Sequence, residues 1–234
     1  MNIDDERIKD AVSRTEILRL PRQSLATFGT TNIHYYLVTE PVYSEMVGKV
    51  TETVVREGKV IAERPRIVTP YYLSHLEGFS TEARRYLDTL IRAYGANSPG
   101  LFYTYKNEPA TLNIVSDSFM AVISRINEEI DKRGDPLVSI IKGEDSLWDV
   151  SLMKFIYELT RTSVMSNFNQ MNNRGLLNMD SSGVPLDARL RIDELMQQVY
   201  KGEREPSELK EELDRWGLFD EYEDRFYRIF RKKG

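Results

Sequence analysis

The spacing of apolar side chains changes character along the chain, from short runs of β-formers to long stripes at helical period. Residues 3–12 read as a short polar helix. Residues 16–20 (Glu-Ile-Leu-Arg-Leu) alternate and stop at Pro21, which predicts a strand. Residues 33–39 (Ile-His-Tyr-Tyr-Leu-Val-Thr) are β-formers with no polar face, the pattern of a strand covered on both sides. Between residues 50 and 68, Thr51, Thr53 and Val55 alternate with Glu52, Val54 and Arg56. Glu57-Gly58-Lys59 is then placed to turn the chain, and residues 60–64 run back until Pro65. A glycine-containing connection between two such runs predicts a hairpin, with Pro65 marking an edge or a bulge.

Helical periodicity then takes over. Ser80 can cap a helix on which Ala83, Tyr86, Leu87, Leu90, Ile91 and Tyr94 share one stripe, closed by Gly95. A strand over residues 101–105, ended by Asn107-Glu108-Pro109, interrupts the pattern. Ser116 can cap the next helix, with Phe119, Val122, Ile123, Ile126 and Ile130 at core spacing and Gly134 just beyond. Ser146-Leu147-Trp148-Asp149 has the form of a capping box, and the helix after it presents Leu152, Phe155, Ile156 and Leu159. Two helices, from Pro185 to Tyr200 and from Pro206 to Trp216, end at Gly202 and Gly217. The last helix gathers Phe219, Tyr222, Phe226, Ile229 and Phe230 on one face. Its acids (Asp220, Glu221, Glu223, Asp224) come first and its bases (Arg231, Lys232, Lys233) last, an order that complements the helix dipole.

Strands therefore dominate up to about residue 106 and helices after it. This predicts an α+β fold, with a mixed or antiparallel sheet in the N-terminal half and a helical C-terminal half. The expected division is an α+β domain over residues 1–145, carrying a tyrosine-rich sheet, and a helical subdomain over residues 146–234. A single continuous domain is the alternative.

Composition narrows the chemistry. At 234 residues, 41% apolar and 29% charged, the chain can bury a core without covalent or metal staples. It has no cysteine, which excludes disulfides, thiolate metal sites and cysteine nucleophiles and fits a reducing compartment. The opening is acidic and polar, unlike a secretory leader, and no run approaches the roughly 20 apolar residues of a membrane span. A cytoplasmic protein without a membrane partner is the expectation. Residues 1–110 are charge-balanced, whereas residues 111–234 carry 18 basic and 23 acidic residues, so the net charge of −5 lies there. No segment has the basic surplus that nucleic-acid binding normally needs.

Glycine-rich phosphate loops, a nucleophile elbow and paired-histidine zinc helices are all absent, and His34 and His75 are the only histidines. No metal or other cofactor is expected. Three regions remain as candidates. Nine of the 13 tyrosines lie between Tyr35 and Tyr105. With His34, Tyr35, Glu40, Arg64, Arg66, Tyr72 and Glu77 they would line a ligand pocket if their segments converge. Arg64 and Arg66 would then hold an anion from one face of a strand continuing through Pro65, and His34, Glu40 or Glu77 would serve as acid or base. Otherwise these are ordinary sheet and surface residues.

The order of elements over residues 154–185 resembles a winged helix-turn-helix, with Asn167, Asn169 and Arg174 facing DNA. Arg161 and Arg174 are the only basic residues between Phe155 and Arg189, so a packing role competes with that reading. The C-terminal aromatic stripe (Trp216, Phe219, Tyr222, Phe226, Phe230) would serve a homodimer or another protein partner, unless it packs on the chain's own core. Taken together, these features predict a binding or regulatory protein. An enzyme or small-ligand binder with the tyrosine-rich pocket is the alternative, and a DNA-binding regulator the third reading.

Overall fold

The computed structural model describes residues 3–41, 52–76, 88–89 and 91–231. Glu77, Ser80 and most of the helix expected after Ser80 lie outside the described residues, as do Lys232, Lys233 and the Phe230 side chain. The chain packs as two compact units, each built from two stretches: Met1–Arg64 with Tyr103–Asn167, and Pro65–Phe102 with Phe168–Gly234. The units are interleaved along the sequence.

The first unit contains α1 (Ile3–Arg14), β1 (Glu16–Arg19), β2 (Thr31–Thr39) and β3 (Thr53–Ala62), and later β6 (Tyr105–Val115), α3 (Phe119–Arg133), β7 (Val138–Lys142) and most of α4 (Trp148–Asn173). Its sheet has the order β1-β7-β2-β3-β6. It is mixed, because β7 runs parallel to β2 while the other neighbours are antiparallel. With helices making up most of the rest of the chain, the architecture is α+β. Ile33, Tyr35 and Leu37 of β2 face Leu152, Phe155 and Leu159 of α4. On the opposite face, Val38, Val55 and Ile140 meet Val122, Ile126 and Ile130 of α3. The alternation of β2 is clearer than its sequence suggests: Asn32 and His34 are exposed, while Val38 and Thr39 at its end are buried.

Two turn signals are overruled by tertiary context. Gly58, expected to reverse the chain, sits in the middle of β3 opposite Tyr35. A Cβ at position 58 would run into the Tyr35 hydroxyl and lie 2.9 Å from the Glu108 carbonyl oxygen. The glycine is therefore explained by close approach rather than by a turn. Pro109, expected to end a strand, lies inside β6. Among the described residues β6 is an edge strand, where a missing N–H is tolerated, and the register shifts beside Pro109.

The winged-helix expectation is also corrected. α4 is one continuous helix of 26 residues, with no turn between residues 159 and 163. Its polar residues are structural. Ser163 Oγ accepts from the Leu25 amide (3.1 Å), and Asn167, fully buried, accepts from Thr27 Oγ1 (3.1 Å) and donates to the Tyr103 hydroxyl (3.1 Å). Asn169 is exposed, but no recognition helix or turn surrounds it.

The second unit contains β4 (Arg66–Val68), α2 (Pro70–Ser74), β5 (Gly100–Phe102), α5 (Leu186–Lys201), α6 (Pro206–Trp216) and α7 (Phe219–Arg231). β4 and β5 form a short antiparallel ladder. The three long helices close on Ile192, Leu209, Leu213, Trp216, Tyr222 and Phe226. Gly202 and Gly217 adopt left-handed φ values of 79° and 66°, ending α5 and α6 where the sequence placed their ends.

Phe155 has no exposed surface and packs between β2 and Leu152 and Leu159. Phe155→Ala should therefore destabilise the first unit by about 3–5 kcal/mol, read as a lowered urea midpoint with an unchanged denaturant slope.

Candidate functional site

The main concentration of buried charge among the described residues lies in the second unit, around Glu212. This residue is on the inward face of α6 and only 5% exposed, so its carboxylate has to find donors inside the protein. Tyr72 donates its hydroxyl to Oε2 at 3.0 Å, and Trp216, one turn further along α6, donates Nε1 to Oε1 at 3.3 Å. Arg66 and Arg215 add guanidinium groups at 3.7 and 3.8 Å. Each donor is set by local structure. Thr69 caps α2 by accepting the Tyr72 amide through Oγ1, which fixes Tyr72 in the first turn. The Tyr72 and Trp216 rings then stack with centroids 4.8 Å apart. Arg66 leaves β4 with its guanidinium 5.0 Å over the Phe102 ring of β5.

α5 completes the cluster. Asp187, 2% exposed, accepts the Ile67 amide at 3.1 Å and so ties the start of α5 to β4. Arg191, one turn later, brings a third guanidinium into the field of Arg66, Glu212, Tyr72 and Asp187. Burial pushes the Tyr72 hydroxyl above its ordinary range, and the Glu212 charge pushes it further. For Arg191, burial followed by the neighbouring Arg66 charge lowers the ordinary arginine value.

A second feature of the same unit is a groove of about 710 Å³ between α5 and α7. Met196 and Ile229, both nearly buried, form its floor. Tyr200, Lys201, Arg225 and Arg228 stand around it, with Asp193 paired to Arg225 at 2.8 Å.

In the first unit, a smaller depression of about 320 Å³ is lined by His34, Tyr35, Glu57, Lys59 and Glu108. Tyr35 is buried and donates to Asn107 Oδ1 at 3.0 Å, and Lys59 pairs with Glu108 at 3.0 Å.

The tyrosine-rich candidates thus fall into separate groups. His34 and Tyr35 share the sheet depression, and Glu40 is exposed just after β2. Arg66 and Tyr72 meet at Glu212. Arg64 belongs to the first unit and Arg66 to the second. The strand that would have aligned these two arginines does not exist, because β3 ends at Ala62 and β4 begins at Arg66. Glu77 lies outside the described residues. Three members of the aromatic stripe turn inward: Trp216, Tyr222 and Phe226 are 3–7% exposed and belong to the core, while Phe219 is partly buried against it. Asp187, Arg191 and Glu212 went unnamed in the sequence reading, since each sits in a charged helix that looks solvent-facing. Their only signal is position: Asp187 and Arg191 are four apart, and Glu212 falls on the face of Leu209 and Trp216.

No protein-family model, curated protein or solved structure matches the chain.

Tyr72→Phe should cost the second unit about 1–3 kcal/mol at pH 7, because a buried carboxylate loses a donor. It should also alter the alkaline limb. The folded chain holds the Tyr72 proton to higher pH than the unfolded chain, so stability is full below pH 10.0, the ordinary tyrosine value, and falls above it. Urea titrations between pH 8 and 11 should show a shallower decline in the variant than in the wild type.

Proposed function

We propose that this chain is a binding protein, and that the groove between α5 and α7 takes a short acidic segment of a protein partner, one that also carries apolar side chains. The observation behind this reading is the groove's chemistry. An apolar floor of Met196 and Ile229 lies beneath three cations and one carboxylate, in a chain whose net charge is −5. Among the described residues Lys201 and Arg228 have no ion-pair partner, so their charge is available to a ligand. A helical segment with leucines at i and i+4 and carboxylates beside them matches both features. Opposite charge on the rim would speed association and fix register, while the floor would supply the area. The absence of a recognisable catalytic motif agrees with a binding role.

A fluorescein-labelled 15-residue amphipathic peptide of leucine and glutamate is a direct probe. Its anisotropy should rise on titration with the protein, and affinity should weaken as salt increases from 50 to 300 mM. Charge reversal at the rim (Lys201→Glu with Arg228→Glu) should weaken binding by about tenfold or more, equivalent to about 1.4 kcal/mol. Equal affinity in the wild type and the double variant would sink the groove reading.

A further inference from the structure

We propose that Arg191 and Arg66 form an oxyanion-binding site in the second unit, one that takes the two-oxygen edge of a carboxylate or phosphoryl group. The site is separate from the α5–α7 groove and does not depend on it. Its central observation is a guanidinium without a partner. The Arg191 Nε is buried and makes no hydrogen bond, and no ion pair or other hydrogen bond is formed by this side chain among the described residues. An arginine carries five N–H donors in a rigid fork, and leaving them desolvated is costly.

The contrast with Arg189, two residues earlier on the same helix, sharpens the point. Arg189 places Nε and Nη2 on Asp180 Oδ2, both at 2.7 Å, and Nη1 on Glu221 at 2.7 Å and the Tyr222 hydroxyl at 3.3 Å. One arginine of the pair is saturated by the fold, and the other is held ready with nothing to hold.

The surroundings of Arg191 favour an anion. Asp187, one turn before Arg191 on α5, accepts the amide of Ile67, the residue after Arg66, so α5 carries Arg191 alongside the strand that carries Arg66. The Arg66 charge adds to burial in lowering the ordinary Arg191 value. The carboxylates that could neutralise it are already engaged. Asp187 accepts the Ile67 amide, and Glu212 is shared among Tyr72, Trp216, Arg66 and Arg215. Arg215 is itself drawn outward to Glu211 at 3.1 Å. Solvent reaches the cluster, since the Arg66 side chain is 21% exposed and Arg191 is half-buried. An oxyanion arriving there would accept from both guanidiniums and relieve their repulsion, the geometry in which arginine outperforms lysine. Arg66 is one of the two arginines for which the sequence suggested anion binding; its partner is Arg191 rather than Arg64.

The test uses the full chain carrying Trp148→Phe, which leaves Trp216, a direct donor to Glu212, as the only tryptophan. Melting temperature and Trp216 emission are measured in sodium acetate and in sodium phosphate, each against sodium chloride at equal ionic strength. The same series is run on Arg191→Met and Arg191→Gln. General salt effects act on all variants alike, so the difference between variants is the readout. The expected result is a gain of about 3 °C or more in one of the two salts, with a change in Trp216 emission, both absent in the Arg191 variants. The responding salt identifies the group as carboxylate or phosphoryl. Arg191→Met should be no less stable than its parent in chloride, because it removes a desolvated charge and keeps the apolar stem. Three results overturn the proposal: no specific gain in either salt, an equal gain with and without Arg191, or a loss of several degrees in Arg191→Met in chloride alone.

Discussion

A buried carboxylate organises the second unit. Glu212 lies one turn from the end of α6, where the helix dipole disfavours negative charge, and it is almost fully removed from water. Both penalties have to be offset by donors, and the donors come from three elements: Tyr72 of α2, Arg66 of β4, and Trp216 and Arg215 of α6 itself. Removing any of them exposes the same cost, so the short ladder, the short helix and the long helix are coupled through one side chain. Tyr72 and Trp216 also belong to the apolar core, which links the packing of that core to the satisfaction of Glu212. Arg191 is set beside this arrangement without hydrogen-bonding to it, so its buried Nε is left without an acceptor.

The first unit depends on a related constraint in uncharged form. α4 covers one face of the sheet with Leu152, Phe155 and Leu159, yet it also buries Ser151, Ser163 and Asn167. Each of these polar groups is answered by a group from outside the helix: Thr15, the Leu25 amide, and Thr27 with Tyr103. These hydrogen bonds, with Leu25 buried in the core, fix the course of the segment after β1. A helix that mixes apolar and polar residues on its buried side loses the clean amphipathic signature, and its sequence then imitates a surface-reading helix.

The legible parts of the fold were those decided locally. The ends of α3, α5 and α6 at Gly134, Gly202 and Gly217 follow from the left-handed residue each C-terminus requires. The core spacings of α3 and α7 follow from helical period, and the α+β class from the segregation of the two patterns. What was not legible depended on partners distant in sequence. Gly58 has the composition of a turn and becomes a strand residue because Tyr35 needs its space. Pro109 resembles a stop and is tolerated because β6 lies at an edge. At the candidate site, Arg66 and Tyr72 could be named from residue type. Their meeting point, Glu212, could not, because its acidic neighbours Glu211 and Asp214 look the same in sequence and are exposed.

The same limit bears on where function should be sought in this chain. A solvent-facing aromatic stripe and a core-facing one have the same sequence period. Here α7 uses Tyr222 and Phe226 to close its own core. With Tyr222 and Phe226 committed inward, recognition on this helix falls to long cations whose stems pack while their heads remain unneutralised. Among the described residues Arg19, Arg56, Arg189 and Arg225 fail that criterion, since all end on carboxylates. Lys201, Arg228 and Arg191 do not. These three cations all lie in the second unit, on α5 and α7.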